Sequence, residues 1–429
     1  MTAAARRRFE ERTPRSRELM AQSHRVVAGG VSRNFGYHVP YPVVNRGGKG
    51  AWLTDVDGND YIDFAYNGMS VIHGHAYPPI VRAITDATAE AWAWPGSSID
   101  QIAFAEYLAG RLPGMEQIRF TNSGSEAMML AVKVARHHTK RPLILKARTG
   151  YHGTYPDLEA GLHGQGAMPG RALVAEFGDT DAFAGLIAEH RDSLAAVVLE
   201  PVLITGGVVP PPDGFLRDVC RLAREAGVLT ILDDCLMFRL AEGGSSAFFG
   251  IRPDLIGLGK FIGGGIPTGA VCGPAAIMRA FEPNGTDPLY HGGSFNGNVL
   301  SARAGLACLR DLDAAAIARM NAQSAQLRGA FAEEVARRGI HAEITGIGSV
   351  AGIGFPELGH VRQDYYAHDS LDLAFHLACL ASGLQPGAGG FFAMATVFDE
   401  QLMAETRRRV TAAFDLLQES TGADIRKAS

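Results

Sequence analysis

The chain has 429 residues, 47% of them apolar and 20% charged, with a formal net charge of -5. That length exceeds one ordinary hydrophobic core, so a large domain with a smaller companion is expected, and the charge balance excludes both a basic field for nucleic acid and a polybasic membrane patch. Five scattered cysteines (Cys220, Cys235, Cys272, Cys308, Cys379) form no C-x-x-C pair and read as reduced thiols of a cytoplasmic protein, while no apolar run reaches the ~18 residues of a membrane span.

The opening segment, MTAAARRRFEERTPRSRELM, is charged and has no apolar centre, so it is not a secretory signal; its arginines decorate a solvated helix or a frayed terminus. Extended sequence punctuated by Pro and Gly runs from about Val31 to Asp63. Within it, GKGAWLTDVDGNDYIDF reads as a hairpin turning at Asp57-Gly58. From Pro78 the pattern changes. Helical stretches (PPIVRAITDATAEAW, DQIAFAEYLAGRL, SEAMMLAVKVARHHT) alternate with short apolar strands (PLILKA, LAAVVLE, VLTILDD, DLIGLG), which predicts an α/β fold with a mainly parallel sheet covered by helices. After Asp313 come a long helical segment, HAEITGIGSVAGIGF, and a last helix near DEQLMAETRRRVTAAFDLL. The expected organisation is therefore an N-terminal segment over 1–75 that joins the small domain, a large domain over 76–312, and a small α+β domain over 313–429.

Ligands of open parallel sheets bind beyond the carboxyl ends of the strands, so the residues just after each strand are informative. TNSGSEAMM puts Asn122, Ser123, Gly124 and Ser125 just before a helical run, where free amides and hydroxyls can cradle a phosphate; alone, the same residues read as an ordinary N-cap. TGYHGTY places Tyr151 and His152 in a glycine-flanked loop, where an aromatic can stack on a flat ligand. LAAVVLE ends in Glu200 and VLTILDD in Asp233 and Asp234. One helix joins these two strands as a βαβ unit, so both acidic tips fall on the same sheet edge; singly, each acid reads as a cap or turn residue. DLIGLG ends at Lys260. An ammonium after a buried strand is costly, and desolvation favours the neutral, nucleophilic amine. Gly263, Gly264 and Gly265 then let the backbone run close to a ligand. Lys49, Lys133, Lys140 and Lys146 lack that setting and read as surface residues.

Together these parts match one chemistry. Pyridoxal 5'-phosphate (PLP) needs a lysine for its aldehyde, an acid for its ring nitrogen, a face to stack on and a phosphate pocket.

The motifs NSGSEA, YHGTY, LEPV, ILDD…FR, PDLIGLGKFIGGGIPTGA and HGGSFNGN occur in the order found in class III, fold-type I PLP aminotransferases. GAWLTDVDGNDYIDF and GHAYPPIVRAI resemble the N-terminal part of the same family. The resemblance spans nearly the whole chain and is nearest to glutamate-1-semialdehyde 2,1-aminomutases and bacterial β-amino-acid aminotransferases. It implies that Lys260 carries PLP as a Schiff base, that Asp233 pairs with the ring nitrogen, and that Ser123, Gly124 and Ser125 hold the phosphate. It also implies that Tyr151 stacks on the ring and that His152, Glu200 and Cys235 lie close by. Ser294 would reach the phosphate of a second subunit in an obligate homodimer. Arg33 matches the arginine that β-amino-acid aminotransferases place in the active site, whereas Arg239, also in a family motif, reads as structural.

The sequence departs from the family in two places. Asp233-Asp234-Cys235 stands where Asp-Glu-Val is usual, so packing or reactivity beneath the ring differs. QPGAGGFFAMAT carries neither the glutamate of the mutases nor the arginine of the β-amino-acid aminotransferases. The reading is an aminotransferase acting on an amino acid, of the β-amino or another unusual class, with a keto acid or aldehyde as acceptor. The alternatives are an aminomutase, which the missing glutamate opposes, and a PLP decarboxylase or oxidase on the same scaffold. A non-catalytic relative is opposed by retention of Lys260 and Asp233.

Overall fold

The computed structural model describes residues 2–162, 171–355 and 370–421. The chain opens with helix Ala3–Arg12, which turns Arg6, Arg7 and Arg8 to solvent and buries Ala5 and Phe9. The terminus is therefore docked rather than frayed, and the Ala5 amide donates to Ser420 Oγ at 2.8 Å. Strands β1 (Asn45–Lys49), β2 (Trp52–Asp55) and β3 (Asp60–Asp63) come next as an antiparallel meander. The Asp57-Gly58 turn between β2 and β3 is built by one buried carboxylate. Asp55 accepts from the amides of Asp57 and Asn59 at 2.9 and 2.8 Å and from the Tyr61 hydroxyl at 2.8 Å.

The large sheet contains β4 (Gln117–Thr121), β5 (Leu143–Ala147), β6 (Ala172–Ala175), β7 (Leu194–Leu199), β8 (Leu229–Asp233), β9 (Leu255–Gly259) and β10 (Gly269–Gly273). Their spatial order is β4-β10-β9-β8-β7-β5-β6, and only β10 runs against its neighbours. The four strands read from the sequence are the central ones. Every residue of β7 and β9 is buried, as expected for parallel strands covered on both faces. Side chains alternate between two cores. Ile144, Ala196, Val198, Ile231 and Leu255 meet helix Gly124–Thr139 on one face, while Leu145, Val197, Leu199, Leu232 and Ile256 fill the other.

Beyond helix Ala314–Arg338 come β11 (Glu343–Ile347), β12 (Val350–Gly354), β13 (Leu384–Gln385) and β14 (Phe391–Ala393), with helices Leu371–Ala381 and Glu400–Thr421. Strand β13 pairs in parallel with β3, Leu384 opposite Ile62, so the N-terminal meander and the C-terminal segment share a sheet. Fully buried Arg239 ties the C-terminal β-structure to the tip of β8: its Nε donates to Ser349 Oγ at 2.7 Å and an Nη donates to the Met394 carbonyl. That is the structural role read for it from the sequence.

Candidate active site

Strand register decides which side chains share the sheet's C-terminal edge. Lys146 lies opposite Val198, Val198 opposite Ile231, and Asp233 opposite Gly257. Counting in twos along each strand puts Lys146, Glu200, Asp233 and Gly259 on the face that carries helix Gly124–Thr139.

Asp233 is the charged member of this group. Its Oδ2 lies 2.9 Å from His152 Nδ1, and its Oδ1 accepts the Cys235 amide at 3.2 Å. Burial alone would raise its pKa, but the His152 contact, then Lys260 and the Cys235 side chain, outweigh burial and hold it below the usual carboxylate range. His152 is pushed down by burial and stays a neutral imidazole. Glu200 behaves oppositely: burial first, then the charge of Asp233, pushes its carboxyl up to about 8. Its Oε1 accepts the Ile204 amide at 3.3 Å, and Oε2 makes no hydrogen bond of normal geometry. His152 Nε2 is likewise buried without a partner. A side chain at Gly150 would come within 3.2 Å of that nitrogen and 3.7 Å of Glu200 Oε2, so the two atoms face one small space.

Helix Gly124–Thr139 begins beside this group. Ser123 caps it, accepting the Glu126 amide at 3.2 Å, while Glu126 reaches back to accept the Asn122 amide at 2.8 Å. The helix start can approach the strand ends only because two side chains are missing. A Cβ on Gly124 would lie 2.7 Å from Cys235 Sγ, and one on Gly259 would lie 2.9 Å from the Gly124 Cα. Cys235 thus fills the floor between the helix start and the end of β9. Burial, then the charge of Asp233, pushes its thiol well above the ordinary range, so it is an inert packing group. Lys260 comes directly after β9, half-buried, with a left-handed φ of 56° that breaks the strand direction at that residue.

Other expectations fare differently. The loop glycine Gly153 packs against Ser125, whose Oγ lies 3.4 Å from the Thr154 amide, so the Tyr151–His152 loop rests on the helix start. Tyr151 itself is 44% exposed and free to cover a ligand. Ser294 sits in an exposed loop whose Asn296 accepts from Asn122 Nδ2 at 2.7 Å. Arg33 is exposed, its guanidinium 4.9 Å from the Phe35 ring centre. Phe35 in turn lies against Gly68 of the Tyr66–Met69 turn, which packs on the turn that starts at Lys260. Two of the glycines after Lys260 are required by packing, since added side chains would strike Thr268 at Gly263 and the Ala304 carbonyl at Gly264. Lys146 is not a surface residue. It is fully buried, and the departure from the surface reading has a physical cause: alternation marks its side of β5 as core, and only the hydrogen-bonding partners of its ammonium make burial tolerable. Asp234, to which the sequence assigns no role, is buried, accepts the Ser245 amide at 2.9 Å, and is pushed up to about 7 by burial.

A buried ionised acid at one strand tip, a lysine at the next and a glycine-opened helix start between them fit PLP. The sequence pattern described as Aminotransferase class-III matches residues 35–160 and 175–384. The chain belongs to the class-III aminotransferase family. It is 36% identical to a glutamate-1-semialdehyde 2,1-aminomutase of Anaeromyxobacter sp. (strain Fw109-5) over 363 residues, 81% of this chain and 84% of the relative. The fold superposes with a TM-score of 0.88 on a transaminase solved with PLP bound, 31% identical, covering 95% of this chain and 99% of that one. A β-phenylalanine aminotransferase from Variovorax paradoxus matches equally well, with a TM-score of 0.88 at 29% identity over 100% and 99% of the two chains. This class-III protein is a PLP-dependent aminotransferase of fold type I, and PLP is its cofactor. Among the described residues no helix is long and apolar enough to cross a membrane, and no cluster of side chains could hold a metal ion.

Proposed function

We propose that this aminotransferase moves the amino group of a β-amino or otherwise unusual amino acid to a keto acid or aldehyde. When bound, PLP supplies an aldehyde that captures amines and a ring that draws electrons from the bond being broken. Lys260 Nζ would hold the aldehyde and, once released, carry a proton from the donor's carbon. Asp233, kept ionised, would hold a proton on the ring nitrogen, with His152 fixing its orientation. The Gly124 helix start with Ser123 and Ser125 would take the phosphate, and Tyr151 would cover the ring.

The observation that carries the substrate reading is Arg33. Among the described residues it makes no ion pair, and its guanidinium stacks on Phe35, whose ring lies against Gly68 of the turn that packs on the Lys260 turn. A planar guanidinium suits a carboxylate. The stretch Gln385–Thr396 contributes neither arginine nor acid. A donor screen tests the reading: one donor should convert the cofactor to its amine form, and a separate keto acid should restore it. An aminomutase is the second reading, favoured by the 36% identical relative of that name. It would convert a single substrate without a second acceptor.

The homodimer belongs to the same proposal. Phe295 and Tyr290 are exposed in the loop that carries Ser294, and Gly297 of that loop touches Gln101, near exposed Ile99 and Ile102. This apolar patch supports a partner surface across which Ser294 would reach a second site. Light scattering should give twice the mass of one chain.

A further inference from the structure

Among the described residues Lys146 is the only buried lysine, and the proposed amino-transfer chemistry does not use it. An ammonium inside a sheet is tolerated only where its donors are satisfied and its charge is matched. Lys146 Nζ donates to the Ala147 carbonyl at 3.0 Å and to the Ala160 carbonyl at 2.7 Å. Those carbonyls bracket the segment 147–160, which leaves β5, carries Tyr151 and His152, and folds back on itself. Backbone bonds line the same neck: the Thr149 amide reaches the Gly161 carbonyl at 3.4 Å, and the Arg148 amide reaches the Ala175 carbonyl at 2.7 Å. At its far end the loop is fixed by His152 on Asp233 and by Gly153 against Ser125. The loop is thus held at its tip by His152 on Asp233 and at its base by the Lys146 side chain, together with these backbone bonds and the Thr205 hydroxyl on the Thr149 carbonyl.

The titratable groups that face Lys146 are Glu200 from the end of β7 and Arg148 and His152 from the loop. Burial, opposed by Glu200 and helped by Arg148, lowers the Lys146 ammonium to about 8. The positive charge of Lys146 in turn disfavours a proton on His152.

We propose that Lys146 is a positioning residue for the cofactor site: its ammonium clasps both ends of the Tyr151–His152 loop, and its charge stands behind the His152–Asp233 pair. The proposal rests on Asp233 serving the cofactor ring. With the clasp closed, His152 Nδ1 stays on Asp233; with the charge present, that imidazole stays neutral and the negative charge opposite the ring remains on the carboxylate.

Lys146→Met keeps the volume and the apolar stem and removes both functions. In the holoenzyme, amide hydrogen exchange over residues 149–161 should speed up roughly tenfold or more, with β7 and β8 unchanged. The pH midpoint of the visible cofactor band should move up by about half a unit or more, because loss of a nearby positive charge favours protonation. A residue that only fills the core would change neither. Wild-type exchange, or faster exchange with an unshifted midpoint, would overturn the proposal. Lys146→Gln, which retains a buried donor, is read by the same two measurements should the Met variant not fold. Failure of the ring-acid reading itself is seen separately, as a normal spectrum and turnover in Asp233→Asn.

Discussion

His152 Nδ1 lies 2.9 Å from Asp233 Oδ2, with both side chains buried at the tip of β8. A neutral imidazole with Nδ1–H facing a carboxylate orients the acid and sustains its charge without neutralising it. Asp233→Asn removes the charge and should lower kcat by about three orders of magnitude or more, corresponding to ~4 kcal/mol of lost stabilisation. His152→Phe leaves the charge but frees the carboxylate to rotate, and should cost about ten- to a hundredfold. Single-turnover rates on the same donor check both. Near-normal rates in Asp233→Asn would move the assignment to Asp234.

Glu200 and Asp233 occupy adjacent strand tips on one face, yet their carboxyls are displaced in opposite directions. Glu200, pushed up to about 8 by burial and by Asp233, binds a proton in the folded chain that the unfolded chain releases near 4.3. The contribution of that protonated form is fully present below about 4.3 and is lost as pH rises through about 8. Glu200→Gln keeps a neutral side chain at every pH. Its apoenzyme should unfold like the wild type at pH 4.5 and be more stable by about 2–4 kcal/mol at pH 8. A stability difference that does not change with pH would show that Glu200 is ionised in the fold.

The central strands β5, β7, β8 and β9 and the acid–lysine pair at their tips are legible in the sequence because a fully buried strand is a continuous apolar run, and a charge at its end stands out. The edge strands β4 and β6 and the antiparallel β10 are not. QIRFT alternates polar and apolar residues on an edge, and GAVCG is short and bounded by glycines, so neither has the signature of a buried strand. Lys146 is hidden for the reason that reveals Lys260. It lies inside a strand rather than at its end, and its two carbonyl partners, Ala147 and Ala160, come together only when the loop folds back.

Gly259 is a steric requirement of the site. Its Cβ would fall 2.9 Å from the Gly124 Cα and 3.2 Å from Cys235 Sγ, and the backbone contact cannot yield as a flexible side chain could. Gly259→Ala should push the helix start from the strand tips, cost about 1–3 kcal/mol by overpacking, and weaken PLP binding. Thermal unfolding of the apoenzyme and cofactor titration check the two effects, which should appear together.

Lys260 should be the residue covalently fixed to the cofactor when the holoenzyme is reduced with borohydride. Its position after β9, half-buried and reached through a left-handed φ of 56°, turns it out of the sheet plane at the tip beside Asp233. Peptide mapping of the reduced protein should find the label there alone. A label on Lys146 would contradict both this assignment and the clasp proposed for that residue.

Arg33 lies on the N-terminal segment, its guanidinium on Phe35, Phe35 on Gly68, and the Tyr66–Met69 turn on the turn at Lys260, and we propose that it serves the site from there. Gln385–Thr396 supplies no arginine, so in the proposed reading Arg33 would be the residue that recognises a donor carboxylate. Removing one partner of such a hydrogen-bonded charge pair costs a few kcal/mol, so Arg33→Ala should raise KM for a carboxylate-bearing donor roughly tenfold to a thousandfold. The cofactor band should stay normal, and an amine donor without a carboxylate should be hardly affected. Phe35→Ala, which leaves the charge but removes the surface it rests on, should produce a smaller rise with the same donor dependence. Equal losses on both donors would show that Arg33 supports the fold or the cofactor, and the preference for amino acids would then have to come from other residues.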